Sequence, residues 1–151
     1  MKVIIDADAC PVTKLATEIS KEKSIAVVCI CDTSHVITSD YAQCIICDKG
    51  RDSADLVLVN KCSAGDIVIT QDYGVASMAL AKGAYCINQN GLYYTKDNID
   101  SLLAIRHMAF EERRKSSKHH IKGPKKRTPE DDEKFERAFR QLVDLALNNT
   151  K

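Results

Sequence analysis

Lys2-Val3-Ile4-Ile5-Asp6-Ala7-Asp8-Ala9-Cys10-Pro11 is a β-branched run that stops on an acid and turns at a proline. Lys2 to Asp6 reads as a buried first strand. Pro11 suits the first turn of a helix. Val12, Leu15, Ala16 and Ile19 follow at helical spacing, so residues 11–23 are expected to form an amphipathic helix.

Working outward, the same alternation repeats. Ile25 to Cys31 is a second continuous apolar strand, and Cys44 to Cys47 a shorter one. Asp52 or Ser53 can cap a helix through Ala54-Asp55-Leu56-Val57-Leu58-Val59. That stretch is rich in valine and would also suit a strand. Helix is preferred because Asp66 to Thr70 is a stronger strand a few residues on. Tyr73 to Lys82 reads as helix with Gly83 as its stop, Ala84 to Asn88 as strand, and Thr95 as the cap of a long helix to about Arg114. Strand and helix alternating in this way predict a three-layer, Rossmann-like α/β/α domain on a mostly parallel sheet.

The chain divides into an α/β domain over 1–114, a basic linker over 115–128 and a C-terminal helical extension over 129–151. The linker, KSSKHHIKGPKKRT, is polar and broken by Gly123-Pro124. Thr128-Pro129-Glu130-Asp131 is a helix start with a cap, a proline at the first position and acids in the first turn. Phe135, Ala138, Phe139, Leu142 and Ala146 give that helix one apolar face. The face needs a partner, either its own domain or a second copy in a homo-oligomer.

Composition excludes several classes. No apolar run approaches the roughly 20 residues of a membrane helix, and Asp6 interrupts the N-terminal run too early for a signal-peptide core. A cytoplasmic protein with no membrane partner is expected. Seven cysteines in such a chain fit reduced thiols better than a disulfide framework. Cys44-Ile45-Ile46-Cys47 with Cys29 and Cys31 has zinc-like spacing. The residues between are apolar, however, and free cysteine is commonly a small core hydrophobe.

Net charge is +1, but it is unevenly spread. Residues 1–105 carry nine Lys/Arg against 13 Asp/Glu, residues 106–127 nine against two, and residues 128–151 four against six. Arg113, Arg114, Lys115, Lys118, Lys122, Lys125, Lys126 and Arg127 could contact RNA phosphates. A solvated tether explains the same charges equally well. Trp is absent and aromatic residues make up 5%, so stacking platforms for bases are few.

Parallel sheets bind ligands beyond the carboxyl ends of their strands. Asp6 and Asp8 stand at the end of the first strand and Asp72 at the end of the 66–71 strand, with Asp48, Asp52 and Asp55 near a helix start on the same edge. Taken singly, each aspartate reads equally well as a helix cap or turn former. Taken together they form an acidic rim whose repulsion a bound Mg²⁺ or Mn²⁺ would relieve. Such an ion can activate water for displacement at phosphorus.

Asp6-Ala7-Asp8-Ala9-Cys10-Pro11, Asp48-Lys49-Gly50-Arg51-Asp52-Ser53-Ala54-Asp55 and Thr70-Gln71-Asp72-Tyr73-Gly74-Val75-Ala76 resemble the bacterial YaiI/YqxD family. The likeness continues through Ala81-Lys82-Gly83, Tyr94-Thr95 and Gly123-Pro124-Lys125 to the final helix. That family is grouped with PIN-like domains, metal-dependent ribonucleases with an acidic site on a parallel sheet. The resemblance implies that Asp6, Asp55 and Asp72 hold the metal, that Asp8 or Asp52 handles the attacking water and that Thr70 supports Asp72. The glutamate many such nucleases carry between the first two acids has no clear counterpart, because Glu18 and Glu22 lie too far along the first helix. Two other readings stand beside the ribonuclease. One is a non-catalytic metal- and RNA-binding module. The other is a haloacid-dehalogenase-like phosphatase using Asp6 as nucleophile, since Asp6-Ala7-Asp8 also resembles that opening motif. His35, His107, His119 and His120 are assigned no role.

Overall fold

The computed structural model describes residues 1–32, 38–48, 53–115 and 126–150. In chain order the elements are β1 (Lys2–Asp6), α1 (Thr13–Glu22), β2 (Ala26–Asp32), β3 (Gln43–Cys47), α2 (Ser53–Lys61), β4 (Ile67–Ile69), α3 (Tyr73–Ala81), β5 (Tyr85–Ile87), β6 (Tyr93–Tyr94), α4 (Ile99–Lys115) and α5 (Pro129–Asn149). The sheet runs β3-β2-β1-β4-β5-β6, parallel throughout except for β6, which pairs antiparallel with β5.

Side chains alternate across this sheet and build two cores. Val3, Ile5, Val27, Cys29, Ile67 and Ile69 face α1 and α5. Ile4, Val28, Ile30, Val68 and Cys86 face α2, α3 and α4. The three-layer expectation is met, and the valine-rich 54–59 stretch is helical. The two-residue strand β6 lacked a periodic signal and was not anticipated. Pro11 precedes the first helix rather than opening it, because α1 begins at Thr13.

The helix at the C-terminus finds its partner within the chain. Thr128 and Asp131 form a reciprocal capping box, with Pro129 in the first turn. Phe135 and Phe139 are fully buried beneath it, their rings stacked with centroids 5.3 Å apart. Burying each such ring contributes about 2–3 kcal/mol. The apolar face that suggested a second copy is therefore spent on the protein's own sheet. Among the described residues, no helix is long and apolar enough to cross a membrane.

Cys44 packs with the α1 side and Cys47 with the α2 side, so that pair cannot share one ion. Burial pushes the Cys29 thiol up to about 12, as expected of a core thiol.

Candidate active site at the sheet's carboxyl edge

Chain connections leave the β1–β4 seam in opposite directions, one toward β2 and β3 and the other toward β5. That is the topological switch point at which open α/β sheets bind ligands. Asp6 ends β1, and Thr70 and Asp72 follow β4. Val3 pairs with Ile67, which brings Asp6 level with Thr70. The Thr70 hydroxyl donates to Asp6 Oδ2 at 2.9 Å and accepts the Asp72 backbone N–H at 3.0 Å. Thr70 thus supports the Asp6 carboxylate and the Asp72 main chain, whereas the sequence suggested support of the Asp72 side chain.

Asp72 is also the N-cap of α3, and its Oδ1 accepts from Gly74 N at 2.8 Å and Val75 N at 3.1 Å. The capping role and a ligand role coexist, because each strand-end acid has a second oxygen. Among the described residues, none bonds Asp6 Oδ1 or Asp72 Oδ2. Asp8 Oδ1 accepts the Asp32 backbone N–H at 3.1 Å and ties the first loop to β2. Asp55 lies in the first turn of α2.

These side chains share one open cleft of about 550 Å³, lined by Asp6, Asp8, Asp55 and Asp72 with Ala9, Gln71, Tyr73 and Arg106. Desolvation by burial is the main cause that pushes Asp6 up to about 6. The Thr70 hydrogen bond opposes the shift, and the negative charges of Asp55, Asp8 and Asp72 add to it. Carboxylates from three parts of the chain thus converge, and three of them act on Asp6. Asp48 is exposed after β3, and Asp52 lies outside the described residues.

Arg106 was not picked out as a site residue, yet it reaches the cleft from α4, with Nη1 3.6 Å from Asp72 Oδ1. Its only sequence signal was its place at the head of the basic segment. The Arg106 and Asp72 side chains are 55% and 36% exposed, so the pair contributes little to stability. Glu18 and Glu22 take no part in the cleft, and Glu22 pairs with Arg140 on the surface at 3.0 Å.

The basic segment divides. Arg113, Arg114 and Lys115 end α4, Lys126 is exposed, and Lys118, Lys122 and Lys125 lie outside the described residues, as do His35, His119 and His120. Arg127 is already engaged. Its guanidinium donates to Asp132 Oδ1 at 2.7 Å, Asn90 Oδ1 at 2.8 Å and the Gln89 carbonyl at 2.7 Å. Arg127 is thus a latch between the start of α5 and the β5–β6 turn.

A switch-point acidic cleft on a three-layer sheet defines the structural class. The chain belongs to the YaiI/YqxD family, whose model, described as an uncharacterized BCR, matches residues 4–145. A UPF0178 protein of Clostridium acetobutylicum is 53% identical over 143 residues, 95% of this chain and 97% of the relative. A UPF0178 protein of Alkaliphilus oremlandii is 52% identical over 144 residues, 95% of this chain and 92% of the relative. A third, from Natranaerobius thermophilus, is 44% identical over 143 residues, 95% and 96% of the two chains. No solved structure matches the chain.

Proposed function

We propose that this protein is a metal-dependent ribonuclease that hydrolyses RNA phosphodiesters in the Asp6–Asp72 cleft. The observation that carries the reading is the convergence of four carboxylates at the switch point, where burial first, and the charges of Asp55, Asp8 and Asp72 in addition, hold Asp6 at about 6. A divalent cation removes that conflict.

The donor set fits Mg²⁺ or Mn²⁺ of one kind and not another. Among the described residues, no three His, Cys, Asp or Glu side chains converge into a ready metal cage. Mg²⁺ does not require one, since it keeps several waters and is held by one or two carboxylates plus substrate oxygens. Asp6 and Asp72 would hold the ion through the oxygens that the protein leaves uncommitted, and Asp55 would complete the set. When bound, the ion supplies Lewis-acid polarisation of the phosphoryl oxygen and a more acidic water.

The remaining work falls to the chain's own groups. Thr70 and the Gly74 and Val75 amides fix the orientation of the two strand-end carboxylates. Asp8, on the first loop, accepts the proton of the attacking water. Arg106 grips a non-bridging phosphate oxygen, a cation among the described lining of a cleft that would otherwise repel a polyanion. RNA follows the exposed lysine of the basic segment toward the cleft.

The test is Mg²⁺ and Mn²⁺ titration with single-turnover cleavage of a mixed structured and single-stranded RNA pool, on wild type and Asp6→Asn. Binding and cleavage that Asp6→Asn loses would support the reading. Metal binding without cleavage would leave a binding module in its place, and no metal binding would overturn it.

A further inference from the structure

We infer that the groove on the other side of the Ala7–Pro11 loop is a nucleoside pocket, which takes the base next to the phosphodiester held in the acidic cleft. The inference deepens the ribonuclease reading and rests on it for the identity of the strand. The groove measures about 720 Å³ and lies between α1 and residues 38–41, with Cys29 of β2 at its floor. Sites for small organic groups typically span about 300–1,000 Å³ and are mainly apolar with a few placed polar atoms.

Its origin is topological. A parallel crossover usually carries a helix over the sheet. The β2–β3 connection has none among its described residues, and this face is covered by α1 and α5 alone. Among the described residues, the outer end of the face beside 38–41 carries the groove. The first loop then sorts its side chains between two cavities. Asp6 and Asp8 line the acidic cleft, Ala7 and Cys10 line the groove, and Ala9 lines both. Ala9 sits in the left-handed region at φ 57°, and its carbonyl accepts from Gln71 Nε2 at 3.0 Å. The wall between the cavities is therefore a low methyl ridge, which a strand can cross without displacing a large side chain.

The groove's polar groups suit a heterocycle. Thr13 and Thr17 spend their hydroxyl protons on the carbonyls of Cys10 and Thr13, at 3.3 and 2.7 Å, so each presents acceptor lone pairs outward. Ser39 Oγ accepts the backbone N–H groups of Tyr41 and Ala42, which frees its proton to donate. The Tyr41 ring is fixed by donating its hydroxyl to the Ile25 carbonyl at 2.6 Å. Donor, acceptors and an aromatic wall around an apolar floor are the features by which proteins hold an unstacked base. Lys14 and Lys21 are offset by Glu18 and Asp40 in the same lining, so the groove favours a neutral ring over a bare anion.

The experiment uses the full chain loaded with Mn²⁺ and a 5′-labelled hexaribonucleotide with phosphorothioate linkages, which slow attack by water at phosphorus. Thr17→Trp fills the groove from a half-exposed helix position. It should weaken oligonucleotide binding by about tenfold or more, as removal of a stacked base contact does, while Mn²⁺ affinity stays unchanged. In parallel, AMP and UMP are titrated without metal into the labelled wild type, where the amides of Ala9, Thr17 and Tyr41 should shift. Wild-type oligonucleotide affinity in Thr17→Trp would overturn the inference. So would monophosphate shifts confined to the acidic cleft. Loss of Mn²⁺ binding by the wild type would instead sink the hydrolase reading, with the metal-free titration still deciding the pocket.

Discussion

The two ends of the β1–β4 seam carry the same residue type and treat it in opposite ways. Both ends share one register, in which partners lie 64 residues apart. At the amino edge Asp66 is 3% exposed and accepts from Lys2 Nζ at 2.7 Å, Lys2 N at 3.0 Å and Ser63 N at 2.9 Å. At the carboxyl edge Asp6 has, among the described residues, one neutral donor, Thr70, and its pKa is raised first by burial and further by three acidic neighbours. The aspartate at one end is matched by a half-buried lysine, whereas Asp6 at the other end is buried among further carboxylates. A strongly shifted carboxyl group in a cleft is the feature on which the proposed cation site rests.

Substitutions at the two edges should therefore act in opposite directions. Asp66→Ala leaves two backbone N–H groups and the Lys2 ammonium without their acceptor. It should cost about 3 kcal/mol, the loss expected when one partner of a buried pair is removed. Thermal unfolding would register this as a lower Tm with Mn²⁺ affinity unchanged. Asp6→Asn should raise the stability of the metal-free protein at neutral pH by about 1–2 kcal/mol, since a poorly solvated charge disappears and an amide oxygen can still accept from Thr70. It should also abolish Mn²⁺ binding. Destabilisation by Asp6→Asn in denaturant melts would mean that the carboxyl edge is as settled as the amino edge.

The pH dependence sharpens the contrast further. The folded pKa of Asp6, about 6, lies above its ordinary 3.8, so the folded chain holds this proton more tightly than the unfolded chain. Stability from this group is fully present below about pH 4 and is lost as pH rises through about 6, by at most about 3 kcal/mol. Metal-free wild type should show that decline and Asp6→Asn should not. Mn²⁺ affinity should fall below pH 6, because the proton and the ion compete for the same carboxylate. A flat metal-free profile in denaturant melts at pH 4 and pH 7 would remove the charge conflict.

Much of this fold is periodic and could be read directly. The β-branched run 2–6, the Thr128–Asp131 capping box and the face of Phe135, Phe139 and Leu142 each carry their signal within a few residues. The acidic edge was legible because strand ends in a parallel sheet share one side, so Asp6 and Asp72 had to approach each other. Which aspartates would be neutralised was not legible, because it depends on partners far away in sequence. Asp66 read as an ordinary strand start until Lys2 was found beside it. Arg106 reaches the cleft only because α4 packs against α3, and the groove beside Ala9 is formed by residues of α1, β2 and 38–41 that lie apart in sequence. Arg127 read as one more member of the basic run, because its acceptors Asn90 and Gln89 lie in a turn next to the unanticipated β6.

The smallest expected effect is the most discriminating, because it separates the two roles of Asp72. Gly74 stands in the first turn of α3, where alanine would ordinarily stabilise a helix by about 0.5–1 kcal/mol. A Cβ at this position would lie 3.1 Å from Asp72 Oδ1, close enough to push the carboxylate off the Gly74 and Val75 amides. Weakening that cap costs a comparable amount, about 0.5–2 kcal/mol if it were lost entirely. Gly74→Ala should therefore leave Tm nearly unchanged while Mn²⁺ binds measurably less tightly, since the same shift moves Asp72 Oδ2 out of its place in the cleft. A rise in Tm with metal affinity intact would show that the carboxylate yields without consequence. The orientation imposed by the cap would then have no part in the site, and Asp72 would return to being the end of a helix.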